Sequence, residues 1–438
     1  MGQYLPSTAQ QRAEMLQALG LTTIEDLYEN LPSTLSILQP LDIPAGKSEV
    51  ETLRVMSGLA NKNYVFPMVF RGAGAYRHYI PAIVPEIVGK EAFLTAYTPY
   101  QAEISQGVLQ SIFEYQTMIC ELTGMDVSNA SVYDGANAAA EAVAMCRERK
   151  KTKAVISGTA NPQVIETMKT YCWASGHEVV VVPGKDGASD TDALLKELTP
   201  DTACLYIQNP NYFGVLEDVG SISGFVHQAG AKLIVGVNPI SAAILKTPAE
   251  SGADIVVGEG QPLGMPLSFG GPYLGFMAST EALTRKLPGR IVGETTDASG
   301  ARSFVLTLQA REQHIRREKA SSNICSNQAL CAMTASVYMA AMGPSGLCDV
   351  AEQCYDKAHY LSEQLSKLPG FKLRYNKGFF HELVTECPIA VTDVLNKLKE
   401  NGILGGMPVE SNGILWCVTE MNTKEEIDGL ISLLKEVG

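Results

Sequence analysis

From about residue 104 onward, the chain alternates short apolar runs with longer segments of helical character. Helices are predicted over segments such as Asn161 to Ser175 and Ile222 to Ala229. Continuous apolar strands separated by helices are typical of a parallel sheet that is covered on both faces. The pattern therefore predicts an α/β domain. The predicted strands are Ala154 to Ile156, Val179 to Val182, Ala203 to Ile207, Leu233 to Val237, Ile255 to Val257 and Tyr273 to Met277.

The first forty residues have a different pattern, typical of two short helices. Ser7 and Thr22 each begin a capping-box pattern, and Gly20 stands where the first helix would end. After Gly346 the pattern changes again: a long helix from Asp349 to Leu368, then short strands and a helix from Val391 to Glu400 predict a small α+β lobe. We therefore predict an N-terminal arm and helical segment at 1–103, a large α/β domain at 104–346 and a small α+β C-terminal domain at 347–438.

Composition narrows the class of protein. The 438 residues carry a formal net charge of −13, with 46% hydrophobic and 18% charged residues. This charge argues against nucleic acid as a main partner, because phosphate binding needs an excess of clustered Lys and Arg. No apolar run reaches the ~18 residues that would cross a bilayer, so no membrane partner is expected. Basic residues gather between Arg311 and Lys319, where we expect a solvated or ion-paired helix face rather than an anion site.

Ten cysteines are scattered without a C-x-x-C pair, as in a reduced compartment. The N-terminus shows neither a charged n-region nor an apolar h-region. Both observations predict a cytoplasmic protein.

In an open α/β sheet, ligands bind beyond the carboxyl ends of the strands. Turn-forming and polar residues stand there, among them Asn209. The small residues after Asp134, with Gly135 and Asn137 in the first turn, open a helix whose amides could approach a phosphate. Close helix packing with Asp134 as an ordinary N-cap explains the same pattern. The sequence leaves both interpretations open.

Two tyrosines flank a rigid Thr-Pro in the segment Tyr97, Thr98, Pro99, Tyr100 and Gln101. Such a segment suits a partner surface, a ligand pocket or a buried hydrogen-bonded turn. The histidines His78 and His314 have no partner at metal spacing, so each is interpreted as a structural histidine and no metal site is predicted.

Several long strings resemble the amino-terminal half of the glycine-cleavage-system P-protein family, glycine decarboxylase. They cover the chain from the Met15-Leu16 helix to the carboxyl terminus. The strings are YTPYQAEISQG (97–107), YQTM (115–118), NAS (129–131), QNPNYFG (208–214), PLSFGGP (266–272), LQAREQHIRREKA (308–320) and SNIC (322–325).

The resemblance implies a fold similar to that of aspartate aminotransferase, the fold type I of pyridoxal-phosphate-dependent transferases. In that family only the second half of a full-length chain carries the Schiff-base lysine, and some bacteria make the halves as two subunits. The resemblance thus implies an α subunit paired with a lysine-bearing β subunit (subunit 2) that holds pyridoxal phosphate. It further implies an α2β2 assembly that works with lipoylated H-protein, T-protein and lipoamide dehydrogenase.

The loop at 258–272 lacks the chemistry that this cofactor needs. No lysine occurs from Thr247 to Arg285, and Gly260 and Gln261 occupy about the place where the catalytic half of the family has His-Lys. A Schiff base needs an amine, and a carboxylate is needed to keep the pyridine nitrogen protonated. The predicted strand from Leu233 to Val237 contains no acidic residue. Lys246 is a poor substitute. We expect a vestigial site formed by Asp134, Gly135, Asn137, Asn209, Gly260 and Gln261.

The chain would then contribute to its partner's site. We expect Tyr97, Thr98, Tyr100 and Gln101 to reach across the subunit interface, with Tyr76 and His78 nearby. Two alternatives stay open: an independent pyridoxal-phosphate enzyme with a displaced lysine, and a purely structural partner of the β subunit.

Overall fold

The computed structural model describes residues 7–32, 42–94 and 98–436. The chain divides into two compact units, Met1–Val65 and Phe66–Gly438.

The first unit contains helix α1 (Ala9–Ala18), a 3-10 turn (Glu25–Tyr28) and helix α2 (Glu49–Ala60). The capping box of α1 is formed by Thr8 with Gln11, one residue later than predicted. The predicted helix start at Thr22 is wrong. The N–H groups of Thr22 and Thr23 instead donate to the Asp26 carboxylate, at 2.8 Å each, and only a 3-10 turn follows.

The second unit contains the remaining elements. Its helices are α3 (Ile83–Val88), α4 (Glu91–Leu94), α5 (Gln106–Thr123), α6 (Gly135–Cys146), α7 (Pro162–Ala174), α8 (Thr191–Glu197), α9 (Val219–Gln228), α10 (Gln313–Arg316), α11 (Ala329–Ser366), α12 (Val391–Glu400) and α13 (Lys424–Lys435). Its strands are β1 (Met68–Val69), β2 (Val127–Ser128), β3 (Lys153–Ser157), β4 (Val179–Val182), β5 (Thr202–Gln208), β6 (Lys232–Val237), β7 (Ile255–Glu259), β8 (Gly275–Ser279), β9 (Ile291–Thr296), β10 (Arg302–Thr307), β11 (Lys372–Leu373), β12 (Glu382–Glu386), β13 (Ile403–Leu404), β14 (Met407–Val409) and β15 (Gly413–Cys417).

The main sheet has seven strands in the order β2-β8-β7-β6-β5-β3-β4. Neighbours from β7 to β4 are parallel, with pairs such as Val235 opposite Val256. The prediction of a wholly parallel sheet is wrong at β8, which runs antiparallel to both β7 and β2. The chain from 260 to 274 contains no crossover helix, and without such a crossover β8 returns antiparallel beside β7.

Alternate residues of the strands feed two hydrophobic clusters, one on each face of the sheet. Leu233 and Val235 belong to the cluster that packs against α5, α9 and α11. Ile234, between them, belongs to the cluster formed with α6 and α7. Because both faces are covered, the strands are apolar throughout, and this is the property that made them visible in the sequence.

The carboxyl-terminal lobe is α+β, as predicted. Its antiparallel sheet has the order β11-β12-β15-β14, and Trp416 lies opposite Leu383 in a core shared with α12 and α13. Helix α11 begins at Ala329, twenty residues before the predicted start at Asp349. It is interrupted by the non-helical Gly343 before Pro344, a break that hid its first half in the sequence.

Strand β1 pairs with β13, so residues just after the first unit contribute to the carboxyl-terminal lobe. The predicted division at 103 and 346 stays a prediction. None of the described helices combines the length and apolarity that a bilayer crossing requires.

Candidate functional site

A cavity of about 450 Å3 opens at the carboxyl ends of β5, β6 and β7, where the sequence predicted a site. The segment from Gly72 to Tyr76 covers one side, and the first turn of α6 forms another. Tyr206, Asn238 and Glu259 contribute side chains. Among the described lining residues, Asp134 and Glu259 are the charged ones, and both are acids.

Asp134 begins α6 as an N-cap. Its carboxylate accepts the Asn137 N–H at 2.8 Å and the Asn137 side-chain amide at 2.9 Å, while the Tyr171 hydroxyl donates to Asn137 at 2.7 Å. These bonds satisfy the capping interpretation.

Glu259 lies at the end of β7 with its carboxylate against the same helix start. One oxygen accepts the Gly135 N–H at 2.9 Å, and the other accepts the N–H groups of Gln261 and Leu274 at 2.9 and 3.0 Å. Burial raises the pKa of Glu259 to about 7, against the three N–H bonds, which lower it. An internal carboxylate thus accepts the Gly135 N–H, one of the amides that the phosphate interpretation directed at a ligand.

Gln261 is fully buried. Its amide oxygen accepts the Tyr76 N–H at 2.9 Å, and its amide nitrogen donates to the carbonyls of Tyr76 and Met265, at 2.8 Å each. The residue at the expected lysine place therefore ties this loop to the segment around Tyr76, and both ends of its amide group are used.

Of the predicted vestigial site, Asp134 and Gly135 line the cavity, whereas Asn137, Asn209, Gly260 and Gln261 do not. Asn209 accepts the Glu217 N–H at 3.0 Å, and the Gly260 N–H donates to the Leu274 carbonyl at 2.6 Å. Lys246 is exposed and lies beside a separate small pocket.

Tyr76 and His78 point into the chain. The Tyr76 hydroxyl donates to Glu382 at 2.8 Å, and the same carboxylate accepts the Ala73 N–H at 2.6 Å. Burial raises the pKa of Glu382 to about 7, and burial with the nearby His78 lowers the pKa of His381 to about 3. Tyr76 and His381 are in ring contact, with centroids 4.7 Å apart.

His78 has partners that sequence spacing could not show. Its Nδ1 lies 2.7 Å from Glu420, and the Cys354 thiol donates to the same carboxylate at 3.5 Å. The other oxygen of Glu420 accepts the Tyr79 N–H at 2.6 Å. His78, Cys354 and Glu420 each offer an atom that could bind a metal ion, and these atoms lie within 4.8 Å of one another. Because the Glu420 carboxylate already pairs with the other two, the group is a buried polar network that ties residues 78–79 to the carboxyl-terminal lobe. His314 lies 3.5 Å from Glu312.

Tyr100 is 57% exposed, and its side chain contacts the buried Arg290. The guanidinium of buried Arg290 donates to the Tyr100 hydroxyl at 2.9 Å and lies 5.0 Å from the centre of its ring. The Thr98 carbonyl accepts the Tyr100 N–H at 2.9 Å, and exposed Gln101 precedes the 3-10 turn Ala102–Ile104. Tyr97 lies outside the described residues.

Sequence reasoning missed Glu259 as an internal anion, Tyr206 as a cavity hydroxyl and Arg290 as the support of Tyr100. Glu259 carried a signal, since it is an acid directly after an apolar strand. The other two depend on contacts between distant parts of the chain.

Comparison with known proteins gives one consistent result. The family model for the glycine cleavage system P-protein matches residues 2–434. A relative described as "Probable glycine dehydrogenase (decarboxylating) subunit 1" from Moorella thermoacetica is 48% identical, with 99% of each chain covered. A crystal structure of glycine decarboxylase (P-protein) of the glycine cleavage system, in inhibitor-bound form, is 40% identical with a TM-score of 0.94, and 100% of each chain is covered.

A more distant structure is a C-DES variant with glycine covalently linked to its PLP cofactor. It is 16% identical with a TM-score of 0.63, covering 87% of this chain and 98% of that one, and this likeness shows the fold alone. The architecture is the fold type I of pyridoxal-phosphate-dependent enzymes, as the resemblance implied. Because the family model spans nearly the whole sequence and a full-length relative is 48% identical, this chain belongs to the glycine cleavage system P-protein family.

Proposed function

We propose that this chain is the α subunit of glycine decarboxylase in the glycine cleavage system, and that a separate β subunit, subunit 2, carries the pyridoxal phosphate. Full-length similarity to proteins named glycine dehydrogenase (decarboxylating) subunit 1 supports the α-subunit role. The observation that supports this division between the subunits is the pair of residues after β7: Gln261, at the place expected for the lysine, is bonded to backbone, and Glu259 already accepts the Gly135 N–H that a free anion site would need.

The residues of the cavity do not fit a Schiff base. Attachment of the cofactor needs an amine that reaches its aldehyde, and the described lining contains no lysine. The Gln261 amide is bonded to backbone at both ends and is not a nucleophile.

The fit to the phosphate and the pyridine ring is equally poor. The Gly135 N–H is bonded to Glu259, and two carboxylates with no cation would repel a phosphate. Strand β6 ends in Gly236 and Val237, so it offers no acid to a pyridine nitrogen. We therefore assign no step of the reaction to a cofactor in this chain.

The reaction of the complex is loss of CO2 from glycine and transfer of the aminomethyl group to the lipoyl group of H-protein, whose disulfide is the oxidant. T-protein and lipoamide dehydrogenase complete the system. The cofactor on subunit 2 supplies the electron sink when bound. The contribution of this chain is to pack against subunit 2 in an α2β2 assembly, to exclude water and to offer polar side chains.

Thr98, Tyr100 and Gln101 are the side chains that we assign to this contact, together with Tyr97. Tyr100 combines exposure with a fixed orientation, because Arg290 holds both its hydroxyl and its ring. Tyr76 and His78 are buried in this chain, so their part is to fix the covering segment rather than to touch the partner.

Borohydride trapping tests the proposal. Purified chain, partner subunit and their mixture are each treated with pyridoxal phosphate and borohydride, and pyridoxyl-lysine is located by mass spectrometry. We expect label on subunit 2 alone, with glycine-dependent CO2 exchange in the mixture only. Stoichiometric label on a lysine of this chain, for example Lys246, would instead establish the independent enzyme with a displaced lysine.

A further inference from the structure

We infer that Glu259 is a built-in anion that closes a latent phosphate site at the start of α6, and that its removal lets this cavity bind inorganic phosphate. The inference concerns this chain alone. It does not require the complex to be active, so it can fail while the proposed function stands.

The position of Glu259 is the first argument. Its carboxylate gathers N–H groups from three separate places, namely Gly135 at the helix start, Gln261 in the following loop and Leu274 before β8. Convergent backbone N–H groups at a helix start form an anion site, and here the anion is part of the chain. The backbone is shaped for this approach, since a Cβ at Gly135 would lie 2.8 Å from the Glu259 nitrogen.

Tyr206 is the second, independent observation. The residue is 3% exposed, lines the cavity and makes no side-chain hydrogen bond to any described residue. Its hydroxyl lies against Gly236, where a Cβ would overlap it, so the phenol is held in one place at the floor of the cavity. A buried hydroxyl without a protein partner is expected to bond to a ligand or to water.

Asn238 adds a donor of the same kind. It lines the cavity, and its side-chain nitrogen is buried without a hydrogen-bond partner among the described residues. The cavity thus combines unused donors with an anion that the chain supplies. The groups that face Glu259 are Asp134, Tyr115 and Cys331, none of which is a cation. Removing the Glu259 carboxylate would free three N–H groups and remove one of the two carboxylates that line the cavity.

The test compares Glu259→Ala with wild type and with Glu166→Ala, which removes an exposed acid on α7. Inorganic phosphate is titrated into each purified protein at pH 8 by calorimetry. We expect saturable binding with a millimolar dissociation constant for Glu259→Ala, and at least tenfold weaker or no binding for the other two. Phosphate should also raise the melting temperature of Glu259→Ala alone.

The location of the phosphate is tested by adding Tyr206→Phe to Glu259→Ala. We expect the affinity for phosphate to fall several-fold. Absence of phosphate binding by folded Glu259→Ala, equal binding by wild type, or binding that ignores Tyr206→Phe would each overturn the inference.

Glu259→Gln provides a second measurement should the alanine variant fail to fold. It keeps the shape of the side chain but directs an amide N–H at an N–H group. Hydrogen exchange should then accelerate in the peptide that contains Gly135 or in the one that contains Gln261, depending on which of the two N–H groups the new nitrogen faces. Unchanged exchange in both peptides would show that the carboxylate does not hold these amides.

Discussion

Glu141, Glu259 and Glu382 are glutamates that burial holds at a pKa of about 7. They differ in what compensates the burial. Glu259 accepts three N–H bonds, whereas Glu382 accepts one N–H and the Tyr76 hydroxyl inside a fully buried site. A residue of this kind holds a proton that the unfolded chain would release. Its contribution to the free energy of unfolding therefore depends on pH.

We predict that Glu382→Gln stabilises the protein relative to wild type as the pH rises. Between pH 4.5 and about 7 the folded wild type keeps the proton that the unfolded chain loses, so its free energy of unfolding falls across this window. A pKa raised from 4.5 to about 7 corresponds to about 3 kcal/mol. Urea unfolding of both proteins at pH 5 and pH 8 measures the change.

The Gln variant has no side-chain ionisation at this position, while the lowered pKa of His381 is common to both proteins and cancels to first order. The difference in free energy of unfolding should therefore favour Glu382→Gln more at pH 8 than at pH 5. A difference that is the same at both pH values would contradict the raised pKa.

At the scale of elements, the loop after β5 joins the main sheet to the carboxyl-terminal lobe. Val215 forms a bridge with Phe379, and the Phe380 N–H donates to the Gly214 carbonyl at 3.1 Å. Gly214 has a φ of +83°, and a Cβ there would overlap the Glu382 carbonyl oxygen. The join between the two sheets therefore depends on the absence of a side chain at this position.

We predict opposite effects of the same substitution at two glycines. Gly214→Ala should lower the free energy of unfolding by about 2 kcal/mol or more, because it adds backbone strain and a steric overlap. Gly224 lies within α9, and no atom of the described residues lies within 4 Å of a Cβ built there. Gly224→Ala should therefore raise the free energy of unfolding by up to about 1 kcal/mol. Chemical denaturation of both variants distinguishes the cases. Equal effects would show that the approach to Glu382 is not limiting.

Elements differ in how far the sequence revealed them. β4 and α12 match their predicted bounds, because a continuous apolar run and the 3.6-residue period of an amphipathic helix are both local patterns. The direction of β8 and the first half of α11 were missed. The direction of a strand depends on the connection that precedes it, which the apolar run of β8 does not show. The Gly343-Pro344 break interrupts the helical period of α11.

At the scale of the whole molecule, the chain has an exposed tyrosine, Tyr100, and a cavity that lacks the chemistry for the reaction. The proposed α-subunit role makes Tyr100 a group that acts only in the assembled complex. Its orientation is fixed by Arg290, which also donates to Asn327 at 3.1 Å. The side chain therefore stands ready on the surface before any partner binds.

We predict that Tyr100→Phe lowers the turnover of the mixed complex about tenfold, an effect of about 1.4 kcal/mol on the barrier. The ring stays, but the hydroxyl that Arg290 orients is lost. Glycine-dependent CO2 exchange is measured for the variant and for Tyr79→Phe, which alters a tyrosine of similar exposure. Unchanged turnover with Tyr100→Phe would remove this residue from the site and favour the purely structural role.

The sequence by itself determined the α/β class, the α+β lobe and the missing lysine, because each is a property of residue type and local periodicity. It also predicted one region for Asp134, Gly135 and Gln261, since strand ends of a parallel sheet meet at one edge. Tertiary structure decided what fills that region. The bonds of Glu259 to Gly135, of Gln261 to Tyr76 and of Glu420 to His78 join residues from 124 to 342 positions apart. Such distances leave no periodic trace in a sequence, because only the folded backbone brings the partners together.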